Sequence, residues 1–218
     1  MRQYAHLARD GLSSARAGPR RRPRRWVIES ARGGPVSRPD QDPDASTPLG
    51  AINTAIDRST LAGEPLADLA VRVVEPIRTL LAADRLAFIR YDVERGVASR
   101  LATARSYDTR PEADGPMPFS LILTPEYAAA PHDLVMPDLR DVPAAGELGT
   151  KFMLDQGLTC GALLPLVFDG RLQGGLVLGG FEPACLAPER LAAGREIARR
   201  LAVAMAHAAA RERSERAI

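Results

Sequence analysis

Residues 157–180 read GLTCGALLPLVFDGRLQGGLVLGG, two apolar runs on either side of Asp169-Gly170, with glycines at 157, 161, 170, 174, 175, 179 and 180. Three readings compete for this stretch: a glycine loop that cradles a phosphate, a cysteine site, and a hairpin inside a core. A phosphate loop works through a helix N-terminus placed directly after it. Here there is neither G-x-x-x-x-G-K-[ST] nor G-x-G-x-x-G between a strand and a helix. Asp-Gly between apolar runs is a two-residue hairpin signal, because both residues tolerate the positive φ of a primed turn. LLPLVF and RLQGGLVL are so continuously apolar that both faces of their sheet are expected to be covered. Gly174 and Gly175 then mark a bulge or a close approach of backbone or ligand. Cys160 reads either as a redox switch or covalent attachment point or, preferred because no neighbouring base or cation would stabilise its thiolate, as a small buried hydrophobe on a central strand.

Outward from the hairpin, the preceding segment Ala144 to Gln156 places Leu148, Phe152 and Met153 on one side and ends at Gly157, as a helix closed by a C-terminal glycine does. The following segment, Pro188 to about Arg213, carries Leu191, Ala198, Leu201, Met205 and Ala208 at the spacing of a packed or paired helix. Between hairpin and helix, Cys185 beside Pro183 is expected on an exposed loop. Two more amphipathic helices are read near the start of the folded region. One carries Leu49, Ile52, Ile56 and Leu61; the other, after the Gly63-Glu64-Pro65 break, carries Leu66, Leu69, Ala70, Val73, Ile77, Leu80 and Leu81. Pro76 inside the second predicts a kink or break near Glu75. Leu86 to Tyr91 and Val97 to Ala104 read as a strand pair around a turn at Asp92 to Gly96. Residues 105–118 read as a loop, FSLILT as a short strand, and EYAAAPHD as one or two helical turns. Helices flanking an antiparallel sheet imply an α+β fold.

Composition narrows the function classes. The 218 residues are 45% hydrophobic and 26% charged, with a net charge of +2, as soluble globular chains are. Residues 1–50 hold ten Arg against five acids, so the remainder carries 19 basic against 22 acidic residues. A nucleic-acid-binding fold is expected to be basic in its folded part, so nucleic acid is not an expected partner. Residues 1–48, dense in Pro, Gly, Arg and Asp, are expected to be disordered. Their cluster Arg20, Arg21, Arg22, Arg24 and Arg25 reads either as a tether to nucleic acid or anionic lipid or, as the preferred reading, as a solvated tail or the product of a start codon assigned too far upstream. Cys160 and Cys185 form no CxxC and lie near no histidine at ligand spacing, so neither a disulfide framework nor a zinc site is expected. No apolar run approaches the ~20 residues that span a bilayer, and a cytoplasmic location is expected.

Catalytic constellations are not found. G-x-S-x-G is absent. Asp138 follows Pro137, as turn-shaping and capping aspartates do, with Asp141 close by in PDLRD, and Asp114 lies in a loop. His132, beside Tyr127 and Asp133, has the residue type of a haem or metal ligand, but a loop histidine is more often plain solvent-facing polarity. His207 is explained by helix packing. The chain is expected not to be an enzyme.

The order LADLAVRVVEPIRTLLAADRLAFIRYD, then LVMPDLRD, then DQGLTCGALLPLVFDGRLQGGLVLGG and EIARRLAVAMAHA resembles a GAF domain over roughly residues 60–210. The resemblance implies a GAF/PAS-like α+β fold: a twisted antiparallel sheet of about six strands, terminal helices on one face, and on the other a ligand pocket closed by Phe119 to Leu158. The folded domain is then residues 49–213, with 214–218 as a frayed end. Phe119, Leu121, Tyr127, Met136, Phe152 and Cys160 are the pocket candidates, on the elements that close the pocket in this family. The family's subclasses are not matched. The Cys-His pair of bilin-binding members is replaced by AAGELGT at 144–150, the Asn-Lys-Phe-Asp signature of cyclic-nucleotide members is missing, and two unpaired cysteines do not supply the set used by the sulfoxide-reductase branch. The implied role is a non-catalytic bacterial sensory module that binds an unidentified small molecule, dimerises through its terminal helices, or does both; the cofactor is left unspecified. Such helices commonly continue into a kinase, cyclase or ATPase module, so the output is expected on another polypeptide, lost, or outside this sequence, with a kinase, cyclase or regulator protein as the partner the resemblance implies. The alternative is a structural dimerisation domain with a self-filled pocket, a remnant of a larger sensor kinase, cyclic-dinucleotide enzyme or transcription activator.

Overall fold

The computed structural model describes residues 46–108, 115–142 and 147–217; the side chains of Leu121, Glu147 and Leu148 are outside that description. The expectation of disorder in 1–48 therefore falls almost wholly outside the described residues. Thr47 caps the first helix, its hydroxyl accepting from the Gly50 amide at 3.0 Å, and Pro48 fills the first helical position, where its missing N–H costs nothing. Helix α1 (Pro48–Ala62) ends at Gly63, whose φ of 65° closes it. Ile52 and Ile56 are buried, but Leu61 is 89% exposed, so the apolar stripe read from the sequence is one residue too long. Helix α2 (Leu66–Leu80) runs unbroken through Pro76.

Six strands follow in an antiparallel sheet of spatial order β3-β2-β1-β6-β5-β4. They are β1 (Arg85–Asp92), β2 (Val97–Arg105), β3 (Met117–Pro118), β4 (Leu134–Met136), β5 (Cys160–Phe168) and β6 (Arg171–Gly180). The stretch read as a strand, FSLILT, is instead a 3-10 turn at Phe119–Leu121. Only Met117 and Pro118 pair with β2, because the Phe119 amide turns back to the Gly96 carbonyl at 2.8 Å and its ring meets Tyr91 edge-on at 5.3 Å.

The β5–β6 hairpin turns at Asp169 and Gly170, with φ of 49° and 69°, the two positive values of a type I′ turn. The ladder slips so that Gln173 is extra, a bulge directly before Gly174. Both faces of this hairpin are covered. On one face Cys160, Ala162, Leu164, Leu166, Leu176 and Leu178 join α1, α2 and the terminal helix α5 (Pro188–Arg216) in the main core. Each fully buried Leu or Ile there contributes roughly 1.5–3 kcal/mol, so this layer holds the fold. Helix α5 extends three residues beyond the end read from the sequence, and Arg90 of β1 grips Glu212 with two hydrogen bonds of 3.1 Å.

The opposite face is covered by short pieces: the Phe119 turn, α3 (Pro125–Ala129), a 3-10 turn at Leu139–Asp141, and α4 (Glu147–Asp155). Glycines let these approach the sheet. A Cβ on Gly179 would lie 2.7 Å from Leu158 Cδ1, and one on Gly161 3.5 Å from Met153 Cε. Gly157, at φ 81°, reverses the chain between α4 and β5.

Cys185 departs from expectation. It is fully buried, held under the 3-10 turn Pro183–Leu186, because Gly180 leaves room for its sulfur.

Candidate functional site

Between the sheet and its short-piece cover lies a cavity of about 430 Å³. Its floor is the outward alternation of the sheet: Leu134 and Met136 of β4, Leu163 of β5 and Val177 of β6. Period-2 geometry puts these on one face. Its walls are Tyr127 of α3 and Gly149, Thr150 and Met153 of α4. No arginine or lysine is among its described lining residues.

Helix α3 exists because Thr124 caps it, accepting from the Tyr127 amide at 3.2 Å, with Pro125 at its first position. That short helix buries Tyr127, whose hydroxyl donates to the His132 carbonyl at 2.8 Å. The hydroxyl is thus satisfied within the protein. Burial, with Asp133 nearby, pushes the Tyr127 phenol above its ordinary pKa. His132 is exposed, its ring 5.3 Å from that of Tyr127 and its Nδ1 3.0 Å from the Ala130 carbonyl. The next residue, Asp133, is hydrogen-bonded to Arg195 of α5, which ties the cavity's cover to the terminal helix. Asp138 and Arg140 pair with each other at 2.5 Å, and the guanidinium with the Arg140 amide holds the Asp138 carboxyl down at about 2. This is the capping role read from the sequence.

Behind the cavity, Tyr91 is buried with no hydrogen-bond partner for its hydroxyl. Desolvation drives that phenol well above its usual pKa. A Cβ on Gly175 would lie 2.6 Å from Leu163 Cδ1 and 3.2 Å from the same hydroxyl, so both side chains crowd that position.

Of the residues singled out from the sequence, Tyr127 and Met136 line the cavity. Phe119 is buried one layer behind it, in the cluster with Tyr91, Leu123 and Leu163. Phe152 packs with Leu139, Met153 and Leu158 and lies under the Arg85 guanidinium at 5.1 Å. Cys160 faces the helix-side core, away from the cavity, because it alternates with Gly161, which faces α4. The side chain of Leu121 is outside the described atoms. Leu134, Leu163 and Val177 were missed as lining residues, although strand alternation alone groups Leu163 with the face opposite Cys160. Among the described residues no group of three or more His, Cys, Asp and Glu is placed to hold a metal, and no helix is long and apolar enough to cross a membrane.

No family model matches the chain, and no curated protein matches it in sequence. Solved structures do. The phycoerythrobilin-bound GAF domain from a cyanobacterial phytochrome superposes with a TM-score of 0.61 at 18% identity, over 75% of this chain and 97% of that one. The GAF domain from the Acinetobacter phosphoenolpyruvate-protein phosphotransferase gives 0.61 at 16% identity, over 75% and 93%. The free methionine-R-sulfoxide reductase from Neisseria meningitidis, in complex with its substrate, gives 0.58 at 15% identity, over 80% and 96%. At such identities the likeness is one of fold: this chain has a GAF-like fold.

Proposed function

We propose that the chain is a non-catalytic sensory module of the GAF type whose cavity takes a neutral, predominantly apolar small molecule. The carrying observation is the cavity of about 430 Å³ beneath Tyr127, walled by Leu134, Met136, Met153, Leu163 and Val177. Ligand sites of roughly 300–1,000 Å³ with mostly apolar walls and few polar groups are the common kind. Thr124, Glu126, His132 and Thr150 are the polar side chains on the lining that a ligand could meet, beside the Tyr127 hydroxyl. With no arginine or lysine among the described lining and the Glu126 carboxyl on it, a phosphorylated ligand would bury its charge poorly paired, which is unfavourable. That argues against nucleotides.

Binding alters output when the ligand prefers one arrangement of the helices over another, and the Asp133–Arg195 pair gives the cover a direct hold on α5. A homodimer through α1 and α5 is the second part of the reading. It is favoured by Leu61 at 89% and Val203 at 39% exposure on two helices that share the main core.

Thermal melting with a panel of indoles, flavonoids, medium-chain alcohols, nucleotides and tetrapyrroles tests the ligand claim. A native-state ligand raises stability by mass action, about 2.7 kcal/mol at a hundredfold excess over Kd. Neutral apolar compounds are expected to raise Tm, and Thr150→Phe to abolish the rise by filling the cavity. A Tm shift given only by nucleotides, or by no compound, removes this reading. Light scattering tests the dimer: a monomer at all concentrations removes it, and Leu61→Glu is expected to dissociate it.

A further inference from the structure

The two cysteines, 25 residues apart in sequence, are brought side by side. A Cβ built on Gly180 would lie 3.1 Å from Cys185 Sγ and 3.2 Å from Cys160 Sγ, so both sulfurs crowd the space that a side chain would otherwise fill. Cys160 donates to the Gly180 carbonyl at 3.4 Å. They are the only cysteines in the chain, so no third thiol competes. Cys160 opens β5, and Cys185 lies in the 3-10 turn that leads into α5.

We propose that Cys160 and Cys185 are a redox modification site, closing an intramolecular disulfide under peroxide that pins the start of α5 to the central hairpin. One thiolate attacks a peroxide oxygen, forming S–O and breaking O–O with release of water, which leaves a sulfenic acid. The second thiol then attacks that sulfur, S–S forms, S–O breaks, and a second water departs. The peroxide takes up the two electrons and two protons that the thiols lose.

Access is through the turn itself. Glu182, Pro183 and Ala184 are exposed, and Cys185 belongs to the same short 3-10 turn. Short turns with exposed flanks open locally at low free energy. In the closed state the pair is slow to react, because burial raises both thiols above the usual range. The modification therefore reports opening of the turn at the root of the terminal helix.

The test is peroxide treatment of the full chain under native conditions, followed by denaturing alkylation and intact mass. The expected product is a monomer two hydrogens lighter that takes up no alkylating group until dithiothreitol is added. Hydrogen exchange across 183–191 is expected to slow at least several-fold in the oxidised form. Cys160→Ala and Cys185→Ala are each expected to retain one alkylatable or over-oxidised thiol and to form no lighter monomer. Two thiols still alkylatable after exposure that fully oxidises the urea-unfolded chain, or native oxidation only to intermolecular dimers or sulfinic acids, overturns the proposal.

Discussion

Asp133 accepts a hydrogen bond from Arg195 Nε, joining the segment after α3 to the terminal helix across the edge of the sheet. The side chains are 26% and 47% exposed, and pairs of this kind contribute about 0.2–1 kcal/mol. Arg195→Ala is therefore expected to move Tm by no more than about 2–4 °C. Its larger effect is expected on coupling: hydrogen exchange in residues 130–136 rises, and a ligand that stabilises the cavity no longer slows exchange in α5. Unchanged protection of 130–136 would show that the pair carries nothing between the two elements.

Two tyrosine hydroxyls on the cavity side of the sheet differ in their partners. The Tyr91 hydroxyl is buried and unpaired, whereas the Tyr127 hydroxyl donates to the His132 carbonyl. Removing an unsatisfied buried polar atom relieves desolvation, while removing a donor orphans its acceptor and costs about 1–3 kcal/mol. Urea unfolding is expected to place Tyr91→Phe at or above the parent and Tyr127→Phe about 1 kcal/mol below it. The reverse order would mean that Tyr91 has a bound partner.

The parts of this fold legible in the sequence are those set by local periodicity. Asp169-Gly170 announced the hairpin, the continuous apolar runs around it gave a sheet covered on both faces, and Leu66 to Ile77 gave an amphipathic helix. The cover of the cavity was less legible, since a five-residue helix and single 3-10 turns carry no period to detect. Phe119 was read in a strand because its turn depends on the distant Gly96 carbonyl and the Tyr91 ring. Cys185 was placed on the surface because nothing near it in sequence shows that Gly180 makes room for its sulfur. The Asp133–Arg195 pair spans 62 positions, beyond any motif. Cys160 was assigned to the pocket by resemblance alone, and the pleat turns it the other way.

The glycines of the hairpin are not equivalent, and substitution separates them. A Cβ on Gly174 would lie 2.3 Å from the Ile89 carbonyl oxygen and 3.2 Å from Met205 Sδ. The neighbouring strand's backbone cannot yield there without disturbing the β1–β6 ladder, so Gly174→Ala is expected to cost about 1–3 kcal/mol, as overpacking does. Gly170 has no atom within 4 Å of its would-be Cβ but holds φ at 69°, a left-handed strain of roughly 1–2 kcal/mol. Double substitution is expected to be nearly additive in urea denaturation, since one acts on packing and the other on backbone conformation. A neutral Gly174→Ala would contradict the close approach of β6 to β1.

Alkaline pH provides a test of the buried thiols in the reduced protein. Desolvation pushes the Cys185 thiol to about 12, with Cys160 and Asp84 adding in the same direction, and it raises Cys160 as well. A group whose folded pKa is raised binds its proton more tightly when folded. Its stabilisation is complete below the unfolded thiol pKa of about 8.5–9 and is lost as pH climbs toward the folded value. For Cys185 alone the loss amounts to about 2 kcal/mol by roughly pH 10.5. Tyr91 and Tyr127, both raised, add to the decline above about pH 10. Urea unfolding under reducing conditions at about pH 8 and pH 10.5 is expected to show the parent losing more stability over that interval than Cys185→Ala. Equal losses in the two proteins would mean that the Cys185 thiol is open to water in solution.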